Sequence, residues 1–257
     1  MVRTLLPNKQ YNLAAPNSLP VRIAGRQRRL MYDRFIMETG IGEQDTVLDV
    51  GVTADRSYES SNYLEAWYPY KSAVTAVGID DASFLLQLYP GMQFLKANGL
   101  ELPFSDLAFD IVHSSAVLEH VGPFKDQVKF VQECCRVARK SIFITTPNRW
   151  FPMEFHTILP FVHWLPKPVF RQLMRNTGRG FFAEESNLNL LDGRDLASIT
   201  RYVEDFTFRI SSVSLWCWRS NLLLLGRRIV RSEEVKLVHR CSSVSTHCHQ
   251  LGLHSIQ

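Results

Sequence analysis

The sequence has little of what marks secreted, membrane-spanning or zinc-scaffold proteins. Its 257 residues include five cysteines, an odd number with no C-x-x-C pair, which argues against a disulfide framework and a cysteine-based metal site. No uninterrupted run of about 18 apolar residues is present, so we expect no transmembrane helix. The N-terminal segment lacks the apolar stretch of a secretory signal, so a cytoplasmic location is expected. With 46% hydrophobic and 21% charged residues, the composition also excludes a disordered or collagen-like chain.

Charge is nearly balanced over the chain but unevenly distributed. There are 29 Lys and Arg residues against 25 Asp and Glu, a formal net charge of +4. Residues 1–34 carry +6 and residues 227–257 carry +3, which leaves −5 for residues 35–226. An acidic body with basic ends disfavours a central nucleic-acid groove, so no nucleic-acid partner is expected. The basic N-terminal helix has two interpretations, a solvated face or peripheral contact with an anionic membrane.

Hydrophobic patterning predicts that strands and helices alternate through the first 146 residues. The predicted strands cover 46–52, 73–79, 92–97, 109–113, 141–146, 207–215 and 221–226, and the predicted helices cover 21–39, 60–67, 82–89, 124–139 and 194–205. This alternation is typical of an α/β fold, in which a mostly parallel sheet is covered by helices on both faces.

Polar residues follow the first three predicted strands, at the edge where open parallel sheets bind ligands. Asp49 and Gly51 end the first strand, Asp80 ends the second and Asn98 the third. A carboxylate at the second position can accept hydrogen bonds from both ribose hydroxyls, and an amide at the third suits an adenine edge. Each residue alone could equally cap a helix or a turn. Their occurrence at successive strand ends favours a nucleoside-containing ligand.

One glycine follows the first strand, where a dinucleotide-binding fold has G-x-G-x-x-G. Thr53 and Asp55 stand close behind Gly51, and the carboxylate of Asp55 would repel a pyrophosphate. The sequence therefore disfavours a nicotinamide-dependent oxidoreductase and favours a cofactor that has no phosphate.

Four sequence blocks resemble class I S-adenosylmethionine-dependent methyltransferases of type 11, a group that includes quinone-biosynthesis methyltransferases. The blocks are VLDVG at 47–51, VGID at 77–80, ANGLELPF at 97–104 and FDIVHSSAVLEHV at 109–121. The resemblance covers about residues 45–226 and implies a Rossmann-like seven-stranded sheet that ends in an antiparallel hairpin. It also implies an enzyme that binds S-adenosylmethionine and transfers a methyl group to a small-molecule or lipid-like acceptor.

The resemblance further implies a set of cofactor-binding residues at the strand ends. They are Asp49, Gly51, Thr53, Asp80, Asn98, Gly99 and Ser114. Asp80 would bind the ribose hydroxyls, Asn98 and the backbone of Gly99 would meet the adenine, and the others would border the methionine end. The family's usual D-x-G-x-G-x-G loop is altered here, since Thr53 and Asp55 replace two glycines. This change either weakens cofactor binding or lets both side chains bond the amino-acid part, and the intact remaining blocks favour binding.

The candidate catalytic residue is His120. Methyl transfer from a sulfonium is an in-line displacement in which alignment supplies much of the rate, and an oxygen nucleophile can also need a base. Glu119 and His120 follow the fourth strand near the expected methyl group, and imidazole titrates near neutrality. Orientation of the loop is the alternative role for His120. Glu154 and His156 are further candidates, for which packing or solvent-exposed positions are the simpler interpretation.

The segment Trp150–Phe170 is rich in both aromatic residues and prolines. The prolines exclude a membrane-spanning helix, and the aromatic residues are typical of a segment that packs on the core or encloses an apolar substrate. We therefore expect an N-terminal arm and helix over 1–40 and a methyltransferase domain over 41–230, with a lid or substrate-side insertion at 150–190. A disordered tail is expected over 231–257.

The remaining expectations concern metal ions and the absence of catalysis. The tail contains Cys241, His247, Cys248 and His249, but their spacing is not that of a metal site, so no metal is predicted. The alternative to an enzyme is a non-catalytic protein of the same fold that acts as a partner or regulatory subunit. The altered glycine loop is the feature that would favour this alternative.

Overall fold

The computed structural model describes residues 19–56, 59–154 and 156–229. The expected arm before residue 19 and the tail expected over 231–257 lie outside the described residues. Within the described ranges, no helix is both long and apolar enough to cross a membrane.

The described residues form nine strands, seven of which make one sheet. The strands are β1 (Val47–Val50), β2 (Val74–Gly78), β3 (Gln93–Lys96), β4 (Phe109–Ser115), β5 (Ala138–Pro147), β6 (Met153–Glu154), β7 (Leu159–Pro160), β8 (Phe206–Leu215) and β9 (Trp218–Arg228). The large sheet has the order β3-β2-β1-β4-β5-β9-β8, and β9 runs antiparallel to both of its neighbours. The other five strands are parallel, which confirms the predicted fold with its closing hairpin.

Six α-helices accompany these strands in the described part of the chain. They are α1 (Leu19–Thr39), α2 (Tyr63–Trp67), α3 (Leu85–Leu88), α4 (Phe124–Val137), α5 (Lys167–Asn176) and α6 (Gly193–Thr200). The side chain of Asp192 caps α6, where it accepts hydrogen bonds from two backbone N–H groups of the first turn. The helix predicted over 60–67 begins as a 3₁₀ turn at Glu59–Asn62 before α2. The predicted strands and helices otherwise differ from the structure mainly at their ends.

Two apolar clusters fill the two sides of the sheet. The cluster on the side of α4 and α6 includes Leu48, Val112, Phe130, Ile142 and Leu196. The cluster on the side of α1 and α2 includes Phe35, Val47, Tyr63, Val74 and Phe143. Successive residues such as Val47 and Leu48 face opposite clusters because strand side chains alternate. The strands therefore have the mostly apolar sequence of a sheet that is buried on both faces.

The segment 150–190 has a small core of its own. Five of its buried side chains are Phe170, Met174, Phe182, Leu188 and Leu190. It contains the ribbon of β6 and β7 and the helix α5, neither of which was predicted from the sequence. Pro166 and Pro168 stand at the start of α5, where a missing backbone N–H costs nothing. These prolines therefore begin a helix.

Candidate functional site

A cavity of about 420 Å³ lies at the carboxyl ends of the parallel strands. It is lined by residues at the ends of β1, β2 and β4 and by those that follow β3. The chain leaves β1 towards β2 and leaves β4 towards β5, so the cavity sits at the point where the strand order reverses, the usual ligand site of such sheets. Of the residues predicted from the sequence, Gly51, Thr53, Asn98, Gly99 and His120 line this cavity.

Two of these residues must be glycine for steric reasons. Gly51 has a φ of +105°, and a Cβ atom there would lie 2.1 Å from Cγ2 of Val117. A Cβ atom on Gly99 would lie 2.6 Å from Cε2 of Phe130. Since real Cβ atoms do not approach neighbours so closely, the backbone itself forms the cavity wall at both positions.

Asp49 does not line the cavity but belongs to a buried polar network beside it. Its Oδ1 lies 2.7 Å from Nδ1 of His113, and Nε2 of His113 lies 2.8 Å from the hydroxyl oxygen of Tyr63. We assign a neutral imidazole that donates its Nδ1–H to Asp49 and accepts the Tyr63 proton. Burial raises the pKa of Asp49 to about 7 and lowers that of His113 to about 4.

A second carboxyl group is buried next to Asp49. Glu65, in α2, is fully buried. Burial, followed by the negative charge of Asp49, raises the pKa of Glu65 well above its ordinary value. This shift favours the neutral form of Glu65, which limits how much negative charge gathers behind the cavity wall.

The remaining two predicted cofactor residues also lie outside the cavity wall. The buried hydroxyl of Ser114 donates to the carbonyl oxygen of Val50 at 2.7 Å, so it fixes β4 to β1 where the cavity begins. Asp80 is half-buried and directly follows Ile79, which lines the cavity. The structure thus brings five of the eight predicted residues to the cavity and places Asp49, Asp80 and Ser114 next to it.

The altered glycine loop is held by a residue that the sequence analysis did not identify. Oδ1 of Asn62 accepts the backbone N–H of Thr53 at 2.9 Å, and its Nδ2 donates to the carbonyl oxygen of Thr53 at 3.0 Å. The hydroxyl of Thr53 in turn accepts the backbone N–H of Asp55 at 3.1 Å. Asn62 is 7% exposed, so these bonds are sheltered from water. A side-chain clamp from Asn62 therefore orders the loop that follows Gly51.

A cation from α1 also reaches the cavity, which the analysis of charge did not foresee. Arg28 lines the wall, and its Nη1 donates to the hydroxyl of Ser60 at 3.1 Å. The neighbouring Ser61 lines the same wall, and its buried hydroxyl has no hydrogen-bond partner among the described residues. A guanidinium and a hydroxyl group at this wall suit a ligand carboxylate.

The candidate catalytic residue, His120, faces a second histidine. Nε2 of His120 lies 3.1 Å from Nε2 of His156, which the β6–β7 turn carries into the cavity. The Nδ1–H of His120 donates to the carbonyl oxygen of Asn187 at 2.6 Å. The Nδ1–H of His156 donates to Oε1 of Glu154 at 2.6 Å. The structure thus brings the three candidates His120, Glu154 and His156 together, although 36 residues separate the two histidines.

Glu119 completes this cluster from the buried side. Its Oε2 accepts the hydroxyl proton of Thr146 at 2.9 Å. Its Oε1 is buried without a hydrogen-bond partner among the described residues and lies 3.9 Å from Nε2 of His120. One ligand atom from each of Glu119, His120 and His156 lies within 4.8 Å of the others.

Within the cluster, the pKa values of two groups are raised and those of two others are lowered. Burial, followed by the adjacent His156, lowers the pKa of His120 to about 3, and burial raises that of Glu119 to about 7. Burial would also raise the pKa of Glu154, but His156 and the hydrogen bonds from His156 and Thr157 bring it to about 2. Burial would lower the pKa of His156, yet the Glu154 carboxylate raises it overall. Such divergent pKa values are typical of functional sites.

Comparisons with known proteins agree with this geometry. Residues 49–144 match the type 11 family model described as a methyltransferase domain. Two Mycobacterium tuberculosis proteins, from two strains, are named as probable S-adenosylmethionine-dependent methyltransferases; each is 39% identical over 80 residues, 30% of this chain. The match spans only 28% of the length of these relatives.

Solved structures share the fold over most of the chain. One is the magnesium protoporphyrin IX methyltransferase of Synechocystis with S-adenosylhomocysteine bound, which has a TM-score of 0.53 at 13% sequence identity. The match covers 86% of this chain and 92% of that chain. A methyltransferase from Aquifex aeolicus has a TM-score of 0.52 at 16% identity and covers 83% and 100%. Residues 49–144 therefore match the model of a type 11 methyltransferase domain, and the described residues share the overall fold of these solved structures.

Proposed function

We propose that the protein binds S-adenosylmethionine in the cavity and transfers its methyl group to a small-molecule or lipid-like acceptor. The observation that carries this proposal is a cavity of about 420 Å³ at the switch point of the sheet, where the backbone of Gly51 and Gly99 forms the wall. Cavities of about 300–1,000 Å³ are usual for small-molecule sites. The names of the relatives support the choice of cofactor.

The residues at the wall fit this cofactor chemically. S-adenosylmethionine supplies a reactive methyl group on a sulfonium, and it also has a carboxylate, a ribose and an adenine but no phosphate. Arg28 suits the carboxylate, and so does the hydroxyl of Ser61, which has no hydrogen-bond partner among the described residues. Asp80, at the end of β2, would accept the ribose hydroxyls, and Asn98 with Gly99 would meet the adenine.

The acceptor would bind at the opposite end of the cavity, beside His120 and His156. Val117 and Val121, in the loop that carries His120, also line the cavity, and their apolar surfaces would keep water away from the reacting atoms. Holding two reactants in line supplies much of the rate of such a displacement. The facing Nε2 atoms of the two histidines are the groups that would take up an acceptor proton or hold an ion.

An exposed aromatic patch supports a lipid-like acceptor. The patch consists of the exposed Trp150, Phe161 and Trp218 around the partly buried Trp164, and the ring centroids of the first three lie 4.9 to 6.3 Å from that of Trp164. Trp216, at the tip of the β8–β9 hairpin, is 86% exposed. Exposed aromatic residues of this kind are enriched where proteins meet a membrane surface. The insertion that carries His156 also supplies three members of the patch, so a membrane would bring lipid close to the cavity.

Calorimetry with S-adenosylmethionine tests the cofactor. We expect one molecule to bind per chain, and Asp80→Asn to weaken binding about ten- to a hundredfold because a charged hydrogen bond contributes about 1.5–3 kcal/mol. Asp81→Asn is the matched control. It removes one negative charge from the adjacent residue, and the side-chain oxygen of the asparagine can still accept the Ser83 N–H. No detectable binding by the wild type at millimolar cofactor would overturn the proposal.

Binding without any methyl transfer would instead favour the alternative, a non-catalytic partner or regulatory subunit. Methyl transfer from radiolabelled cofactor into extracted lipids and into small-molecule pools separates the two possibilities. For the membrane contact, Trp218→Ser in the patch should reduce flotation with anionic vesicles, whereas Tyr202→Ser, at an exposed aromatic residue outside the patch, should not. Equal flotation of both variants and the wild type would rule out this contact.

A further inference from the structure

We propose that Glu119, His120 and His156 form a binding site for one divalent metal ion of the zinc class. The site lies at the floor of the cavity, where the loop after β4 meets the β6–β7 turn of the insertion. It was not foreseen from the sequence, which offered no ligand spacing in the usual metal motifs. The metal site stands on its own geometry and does not depend on the identity of the cofactor.

The distances between the donor atoms suit a tetrahedral ion. Two imidazole nitrogens that each lie about 2.0–2.1 Å from zinc are about 3.3 Å apart in tetrahedral geometry. The Nε2 atoms of His120 and His156 are 3.1 Å apart. Oε1 of Glu119 lies 3.9 Å from Nε2 of His120, and all three ligand atoms fall within 4.8 Å of one another. Closing the longer separations to about 3.3 Å would place the three atoms around a single ion.

Both histidines are oriented as metal-bound histidines usually are. A histidine that binds a metal through one ring nitrogen generally donates its other N–H to a backbone carbonyl or a carboxylate. The Nδ1–H of His120 donates to the Asn187 carbonyl oxygen at 2.6 Å, and that of His156 donates to Glu154 at 2.6 Å. Each Nε2 is thereby presented towards the same point.

The buried carboxyl group of Glu119 independently indicates a bound cation. Its side chain is fully buried, one oxygen is held by Thr146, and the other has no hydrogen-bond partner among the described residues. An unpaired buried carboxylate oxygen is costly, because it has lost its water without gaining a partner. Glu154, hydrogen-bonded to His156, adds a second buried carboxyl group to the cluster, and a divalent cation would balance the negative charge of the two groups.

Three protein ligands leave a fourth position open to the cavity. This is the arrangement of catalytic rather than structural zinc sites, in which the fourth position takes water or substrate. The ion would also tie the insertion to the sheet through His156. The choice of acceptor rests on the proposed methyl transfer. In that reaction the open position would select an acceptor with an oxygen or sulfur donor atom, and His120 would serve as a ligand of the ion.

Zinc titration of the full chain after treatment with a chelator tests the proposal. We expect one ion to bind per chain and to raise the unfolding temperature. Glu119→Gln and His156→Ala should each weaken binding by a hundredfold or more, and Glu154→Gln, which removes the carboxylate behind His156, by about 10–100-fold. Glu119→Gln preserves shape and is the variant to use if His156→Ala fails to fold.

The tail needs a control of its own because it contains cysteines and histidines. The double variant Cys241→Ser/Cys248→Ser should bind zinc as the wild type does, and the cobalt complex should lack the charge-transfer band that cysteine ligation produces. No binding by the chelated wild type, or full binding by Glu119→Gln, would overturn the metal site. Cofactor binding is measured on the same samples, so that loss of either activity is attributed to its own proposal.

Discussion

Substitution of Gly51 by alanine tests the reasoning about the cavity wall most quantitatively. Gly51 has a φ of +105°, which lies beyond the small left-handed region that other residues tolerate near +57°. The added Cβ would lie 2.1 Å from Cγ2 of Val117, 3.1 Å from its Cγ1 and 3.2 Å from its Cβ. Rotation of the valine side chain can move its two methyl groups but not its Cβ, so one tight contact remains, and the stiff χ1 of valine makes the rotation itself costly.

The cost of this substitution has two parts. A left-handed conformation costs a residue with a Cβ about 1–2 kcal/mol, and overpacking costs about 1–3 kcal/mol. We therefore expect Gly51→Ala to lower the free energy of unfolding by about 2–5 kcal/mol. For a chain of this size each kcal/mol lowers the unfolding temperature by about 2–4 °C. Since Val117 lines the cavity, cofactor affinity should fall as well.

Substitutions at two other glycines separate the backbone contribution to the free-energy cost from the packing contribution. Gly178 has a φ of +72°, but a Cβ there would meet nothing within 4 Å, so Gly178→Ala should cost about 1–2 kcal/mol. Gly193 begins α6 without a positive φ and with open space around it, so Gly193→Ala should stabilise by about 0.4–1 kcal/mol. Thermal and denaturant unfolding of the three variants gives all three values. An equal loss in Gly51→Ala and Gly178→Ala would refute the packing argument.

Three further predictions concern the polar side chains of Asn62, Glu65 and Asp192. Asn62→Ala should weaken cofactor binding about tenfold and lower the free energy of unfolding by about 1–3 kcal/mol, because it removes both hydrogen bonds to the backbone of Thr53. Unchanged affinity in calorimetry would contradict this. Glu65 has a raised pKa in the folded state, so the stability of the wild type should fall, relative to Glu65→Gln, as pH rises above about 4.5; parallel curves from pH 5 to 8 would contradict it. Asp192→Ala should cost about 0.5–2 kcal/mol through loss of the α6 cap, and unchanged unfolding would argue against the cap.

The sheet could be predicted from the sequence because its strands are buried on both faces. Short, mostly apolar runs such as Val47–Val50 are typical of such strands, and they place the polar residues that follow at one edge of the sheet. The spacing of apolar residues in α4 likewise indicates a helix with one buried face. These elements depend on local sequence patterns, and both are present in the structure.

The rest of the site depends on contacts between distant residues. The pairing of His120 with His156 requires the β6–β7 turn, which is too short to have a periodic signal. The clamp of Asn62 on Thr53 and the approach of Arg28 from α1 likewise follow from packing. No helix was predicted at α5, where prolines interrupt the sequence, although proline in the first turn is compatible with a helix.

A crystal structure with S-adenosylhomocysteine bound would test the central claim most directly. We predict that the adenine lies beside Asn98 and Gly99, the ribose at Asp80, and the sulfur towards His120. The carboxylate should meet Arg28. Density at another surface, or none at millimolar concentrations of the compound, would contradict the proposed function.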